Sequence, residues 1–137
     1  MAVEITGTYQ GQLTCKAVHG PSGNALTTTA PKDNGGTGEY FSPTDLLATA
    51  LGTCMMSIMG IWAKARDVNL DGTTFRVEKH MTAKPPRKVE KLVVEFTIPG
   101  ARVSPDKRES LEHAAHTCPV HLSLHPDVKV ETAFRYV

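Results

Sequence analysis

This chain has no marked excess of either charge: 15 lysines and arginines face 14 aspartates and glutamates, a formal net charge of +1. That balance argues against a protein held to nucleic acid or to a membrane surface by bulk charge. Aromatic residues are sparse at 6%, so aliphatic side chains must build most of the core. Cysteine is scarce as well. Cys15, Cys54 and Cys118 are too few and too far apart for a secreted disulfide scaffold or a paired C-x-x-C zinc site. The opening Met1-Ala2-Val3-Glu4 lacks the basic and apolar regions of a signal peptide. The most apolar stretch, residues 46–63, is broken by Thr49, Thr53 and Ser57, which favours a buried helix over a membrane span. The expected location is the cytoplasm, where thiols are kept reduced.

What is present reads as an ordinary globular chain. With 137 residues, 40% hydrophobic and 21% charged, one domain over residues 1–137 is expected, with enough core to fold without disulfides. Residues 3–9, 11–18 and 24–30 form alternating or β-branched runs parted by Gly11 and by Gly20-Pro21-Ser22-Gly23, a small meander. The stretch 32–39 has three glycines and no periodicity, so it is a loop. Ser42 as N-cap, Pro43 at the first position and Asp45 in a capping-box position then open a long helix to about Arg66. Leu47, Ala50, Leu51, Cys54, Ile58, Ile61 and Trp62 recur at three- and four-residue steps, which puts Cys54 on the buried stripe of a central helix. Gly52 and Gly60 in that helix suggest close packing against another element.

Downstream, residues 73–83 and 89–98 alternate as antiparallel strands around Pro85-Pro86. Ser104 and Pro105 start a second helix that should end near Thr117, because Pro119 disfavours helix for the residue before it. Residues 120–124 suit one more helical turn, and residues 128–137 close as a strand. The order is that of an α+β fold with helices packed on an antiparallel sheet.

Few residues in this frame could carry chemistry. Cys54 reads either as a small buried hydrophobe or as a thiol that needs a cation from elsewhere in the fold, since the helix N-terminal field fades within the first turn. Cys118 follows His113 and His116, whose protonated rings could stabilise a thiolate; equally, those histidines suit the surface of a helix C-terminus. His113, His116, Cys118, His121 and His125 also permit a metal reading, although their spacing matches no standard zinc arrangement. Cys15 lies mid-strand without a clear partner and reads as structural. Gly35-Gly36-Thr37-Gly38 lacks the Gly-Lys-Ser/Thr ending of a phosphate loop, so no nucleotide and no other cofactor is expected. The cluster Lys84, Arg87, Lys88 and Lys91 is solvated charge or a source of cations for a thiolate.

The run from Ser42 to Cys54, SPTDLLATALGTC, followed by Thr117-Cys118-Pro119-Val120, resembles the OsmC/Ohr family of thiol peroxidases, in its broader OsmC-like branch. The resemblance extends over nearly the whole chain. It implies an intertwined homodimer, with antiparallel sheets wrapped around two long central helices and active sites at the subunit interface. It implies that catalytic Cys54 reduces an organic hydroperoxide, and hydrogen peroxide more weakly, through a sulfenic acid. Catalytic Cys118 would then close a disulfide that a dithiol such as lipoamide reverses. The family's arginine and its glutamate partner are not matched: the position ten residues before Cys54 is Thr44, and no arginine precedes Arg66. A non-catalytic small-ligand-binding or stress-associated dimer of the same fold is the alternative.

Overall fold

The computed structural model describes all residues 1–137, which divide into two compact units, Met1–Leu46 and Leu47–Val137. In the first, β1 (Ile5–Gly11), β2 (Thr14–His19) and β3 (Ala25–Thr29) form an antiparallel meander. The strands start later than the sequence pattern places them. Gly11, Gln12 and Leu13 all have positive φ, so the reversal falls on Gln12-Leu13 and Gly11 still belongs to the strand. Ile5 faces His19, Tyr9 faces Cys15 and Ala17 faces Leu26, so these residues share one side of the sheet. That side is apolar yet open: Ile5 is 65% exposed and Tyr9 63%.

The long helix α1 (Pro43–Ala65) opens as its sequence dictates. The Ser42 N–H donates to Asp45 Oδ2 (2.9 Å) and the Asp45 N–H donates to Ser42 Oγ (3.1 Å), a reciprocal capping box. Such a cap contributes about 1 kcal/mol. By length and composition α1 could cross a membrane, but its Leu51, Met55 and Met59 are completely buried within the protein.

The buried stripe differs from the one the periodicity suggests. It runs through Ala48, Leu51, Gly52, Met55, Met59, Trp62 and Ala63, while Cys54 is half-buried and Ile61 is exposed. Apolar residues surround the helix on most sides, so periodicity alone could not select the side that meets the sheet. Gly52 is on that side: a Cβ there would stand 2.7 Å from Val77 Cγ2 and 3.1 Å from the Phe75 ring. Around Gly60 the space within this chain is open, so this chain itself supplies no close neighbour for it.

The second unit is built on β4 (Thr74–Met81), β5 (Val89–Ile98) and β6 (Lys129–Tyr136), in that spatial order. Leu92, Val94, Phe96 and Ile98 point into the core from the central strand and are fully buried. Phe96 stacks on Phe134 with centroids 5.3 Å apart and meets Phe75 at 6.2 Å. The sheet is mixed, which corrects the antiparallel expectation for this half: β4 pairs with β5 antiparallel, but β6 lies parallel to β5. Parallel neighbours need a crossover of a dozen or more residues, and α2 (Pro105–Ala115) and α3 (Pro119–Ser123) supply it.

Polar contacts fix this crossover. Trp62 Nε1–H donates to Ser110 Oγ (2.9 Å), tying α1 to α2. Tyr136 donates its hydroxyl to Glu112 Oε2 (2.9 Å) while the Arg108 guanidinium lies 4.2 Å over its ring. Burial, and then the Glu112 carboxylate, push the Tyr136 phenol well above its ordinary pKa. The opposite face of the sheet carries the exposed ion pair Arg76–Glu95, and Lys88 pairs with Asp127 just before β5 and β6; such pairs contribute little individually.

Candidate active site

Two thiols that lie far apart in sequence meet in the second unit. Cys54 sits on α1, half-buried, and Cys118 is the fully buried residue between α2 and α3. The sequence folds this way locally because Pro119 forces Cys118 out of helical geometry, to φ −64° and ψ 140°, and then begins α3 itself. As N-cap of α3, Cys118 accepts at Sγ from the His121 N–H (3.2 Å). Burial pushes the Cys118 thiol above its ordinary pKa; the His121 amide pulls it down, and the Cys54 side chain, a hydrogen-bonding neighbour, raises it again. Neither cysteine is in a disulfide in this structure.

Beside the thiols lies an apolar groove of about 340 Å³, lined by Leu47, Ala50, Pro119, Val120, Ser123 and Leu124. Ala50 stands one helical turn before Cys54, and Pro119 directly follows Cys118, so each wall holds a residue next to one of the thiols along the chain. No lining residue is charged, and only Ser123 carries a polar side chain. Such a surface favours an uncharged ligand with hydrocarbon to bury.

The remaining candidates separate from this pair. Cys15 is exposed on β2, opposite Tyr9. His113 is exposed, whereas His116 and His121 are half-buried and bonded to backbone carbonyls. No group of three His, Cys, Asp or Glu side chains is placed to hold a metal ion. Lys88 and Lys91 are paired with Asp127 (3.2 Å) and Glu131 (3.9 Å). Thr44, at the position of the family glutamate, meets Ser42 Oγ at 3.2 Å, and Asp45 is committed to the capping box. Residue patterns missed the His121 amide and the groove residues, because a backbone N–H has no signature in side-chain type and a groove wall looks like core.

The raised Cys118 pKa has a measurable sign. In the unfolded chain the thiol ionises at its ordinary value; in the folded chain it resists ionising. Stability from the buried neutral thiol is therefore complete below the unfolded pKa and lost as pH rises through the folded one. Iodoacetamide labelling of reduced native protein, mapped by peptide mass spectrometry across pH, should place the Cys118 midpoint on the alkaline side of its midpoint in denaturant. A midpoint at or below the denatured one would contradict the assignment.

A family model described as OsmC-like protein matches residues 36–133. A crystal structure of a Psychrobacter arcticus protein, provisionally named for osmotic stress induction and detoxification, is 40% identical, covers 96% of this chain and 94% of that one, and superposes with a TM-score of 0.90. An OsmC-like protein of Mycoplasma pneumoniae shares 16% identity at a TM-score of 0.80, covering 100% of this chain and 98% of its own. An organic hydroperoxide resistance protein of Elizabethkingia anophelis shares 19% at 0.79, covering 100% and 97%. None of the curated proteins matches the sequence. A family match across most of the chain, the same fold in all three structures and the two cysteines in their expected elements lead to one assignment: the chain belongs to the OsmC-like family.

Proposed function

We propose that this protein is a cytoplasmic thiol-dependent peroxidase that reduces organic hydroperoxides, and hydrogen peroxide more weakly, in defence against oxidative stress. The observation that carries the reading is the contact of half-buried Cys54 with fully buried Cys118 beside an uncharged apolar groove. The Cys54 thiolate attacks the terminal peroxide oxygen; the O–O bond breaks, an alcohol leaves after taking up a proton, and Cys54 becomes a sulfenic acid. Cys118 then displaces the sulfenic hydroxyl as water, forming the disulfide. A small dithiol such as lipoamide reduces that disulfide by exchange and leaves as its own cyclic disulfide.

The test is oxidation of the reduced protein with cumene hydroperoxide and, separately, hydrogen peroxide, followed by peptide mass spectrometry. A Cys54–Cys118 disulfide should form faster with the organic peroxide and be reversed by a dithiol. If Cys54 stays reduced, the reading fails. The same result would favour the alternative, a non-catalytic dimer that binds a small apolar ligand in the groove; the lack of any arginine before Arg66 supports that reading.

The proposal includes an intertwined homodimer, and two unpartnered faces support it. One is the open sheet side with Ile5, Tyr9 and Leu26. The other is the α1 face with Thr53, Ser57 and exposed Ile61. Thr53 Oγ1 donates to the Thr49 carbonyl and Ser57 Oγ to the Thr53 carbonyl, both at 2.8 Å, so these hydroxyls need no water and the face can be dried at low cost. Sedimentation equilibrium should return twice the chain mass, and a monomer at micromolar concentration would sink this part.

A further inference from the structure

The turn that carries Cys118 is held by two imidazoles acting through backbone carbonyls. His116 Nδ1 lies 2.8 Å from the Glu112 carbonyl, and His121 Nδ1 lies 3.0 Å from the His116 carbonyl. A carbonyl only accepts, so in both rings Nδ1 carries the proton. In the neutral His116 ring, Nε2 then accepts from the Thr132 hydroxyl on β6, at 3.1 Å. The rings meet edge to face with centroids 5.8 Å apart. One connected path thus runs from β6 through His116 to the end of α2, and through the His121 ring back to the residue whose own N–H reaches Cys118 Sγ.

We infer that His121 is a positioning residue for Cys118: its Nδ1–H bond to the His116 carbonyl locks the turn so that its amide aims Sγ toward Cys54. The inference rests on the thiol-redox reading of the two cysteines and adds a residue to it. In the step it serves, the Cys118 thiolate attacks the Cys54 sulfenic sulfur. The S–S bond forms, the S–O bond breaks, and the departing hydroxide leaves as water with the proton that Cys118 gave up. Displacing an attacking atom by an ångström costs on the order of a hundredfold in rate, so a bond that fixes its direction has leverage.

The Nδ1 position of histidine is matched by the side-chain amide nitrogen of asparagine, whereas glutamine matches Nε2. The test therefore compares His121→Asn, His121→Gln and His121→Ala in the full chain. The first measurement needs no peroxide: the equilibrium between dithiol and Cys54–Cys118 disulfide in glutathione redox buffers, where glutathione disulfide is the oxidant. His121→Ala and His121→Gln should weaken disulfide formation by about tenfold, the effect of one lost hydrogen bond, while His121→Asn stays within about twofold of the parent. The second measurement is the lifetime of the Cys54 sulfenic acid after a pulse of cumene hydroperoxide, trapped with dimedone; it should lengthen in the same two variants and not in His121→Asn.

Equal behaviour of all three variants, whether all like the parent or all impaired alike, overturns the inference. Should His121→Ala fail to fold, the Asn and Gln pair decides. A chain inert to hydroperoxide, yet showing the Asn–Gln contrast in glutathione buffer, would overturn the peroxidase reading and leave the positioning role standing.

Discussion

Replacing Cys54 by serine should lower hydroperoxide consumption by roughly a thousandfold or more, because removing a nucleophile leaves only the residual effects of binding. In the proposed mechanism the thiolate is both the attacking atom and the store of the transferred oxygen, and a serine hydroxyl can be neither at neutral pH. The groove is lined by Leu47, Ala50 and the α3 turn, none of which the substitution touches. Binding of a neutral hydroperoxide should persist. Cys118→Ser makes the complementary case: one oxidation per chain should still occur, with the sulfenic acid accumulating instead of closing a disulfide. Coupled consumption assays with dihydrolipoamide, supplemented by dimedone mass spectrometry, separate the outcomes. Unchanged turnover in Cys54→Ser would end the peroxidase reading; turnover lost in Cys54→Ser and retained with dithiol in Cys118→Ser would move resolution to another thiol.

Phe96→Ala should be the most damaging single change to stability, by about 3–5 kcal/mol. Phe96 is completely buried on the central strand β5, between Phe75 on β4 and Phe134 on β6. Both transfer of the ring and the cavity it leaves count against the variant, and the stacked contact with Phe134 at 5.3 Å goes with it. The neighbouring Thr97→Ala, on the outer side of the sheet, should stay within about 0.5 kcal/mol. Urea denaturation at a fixed chain concentration is the measurement, since an oligomer makes apparent stability concentration-dependent. A Phe96→Ala loss below about 1 kcal/mol would mean that the core is not centred on β5.

How much of this was legible in the residues depends on how local the cause is. Ser42, Pro43 and Asp45 set the start of α1 through contacts within four residues, and the capping box formed as its spacing dictates. The alternation Leu92, Val94, Phe96 fixed β5 at Val89–Ile98 for the same reason. The parallel placement of β6 was not legible, because Val130, Thr132 and Phe134 alternate identically whichever way the strand runs; only the crossover decides. Periodicity puts Cys54 on the buried stripe because apolar residues surround α1 on most sides, whereas the sheet selects another one. The meeting of Cys54 with Cys118 came from family resemblance, since no local pattern encodes the packing of two helices. His121 was visible only as a possible metal ligand, whereas in the fold its amide and its Nδ1 both serve the backbone turn.

The parallel strand also governs when the dithiol comes into being. Residues 129–136 must pair along the length of β5 before Thr132 can hold His116, so the turn that aims Cys118 is completed only once the crossover has been made. Pairings of this long sequence separation are slow to form. A nascent chain that has already built the β1–β3 meander and the β4–β5 hairpin still carries its thiols unassembled. The proposed dithiol therefore depends on β6, and a chain cut short before residue 129 would have both cysteines without the scaffold that pairs them.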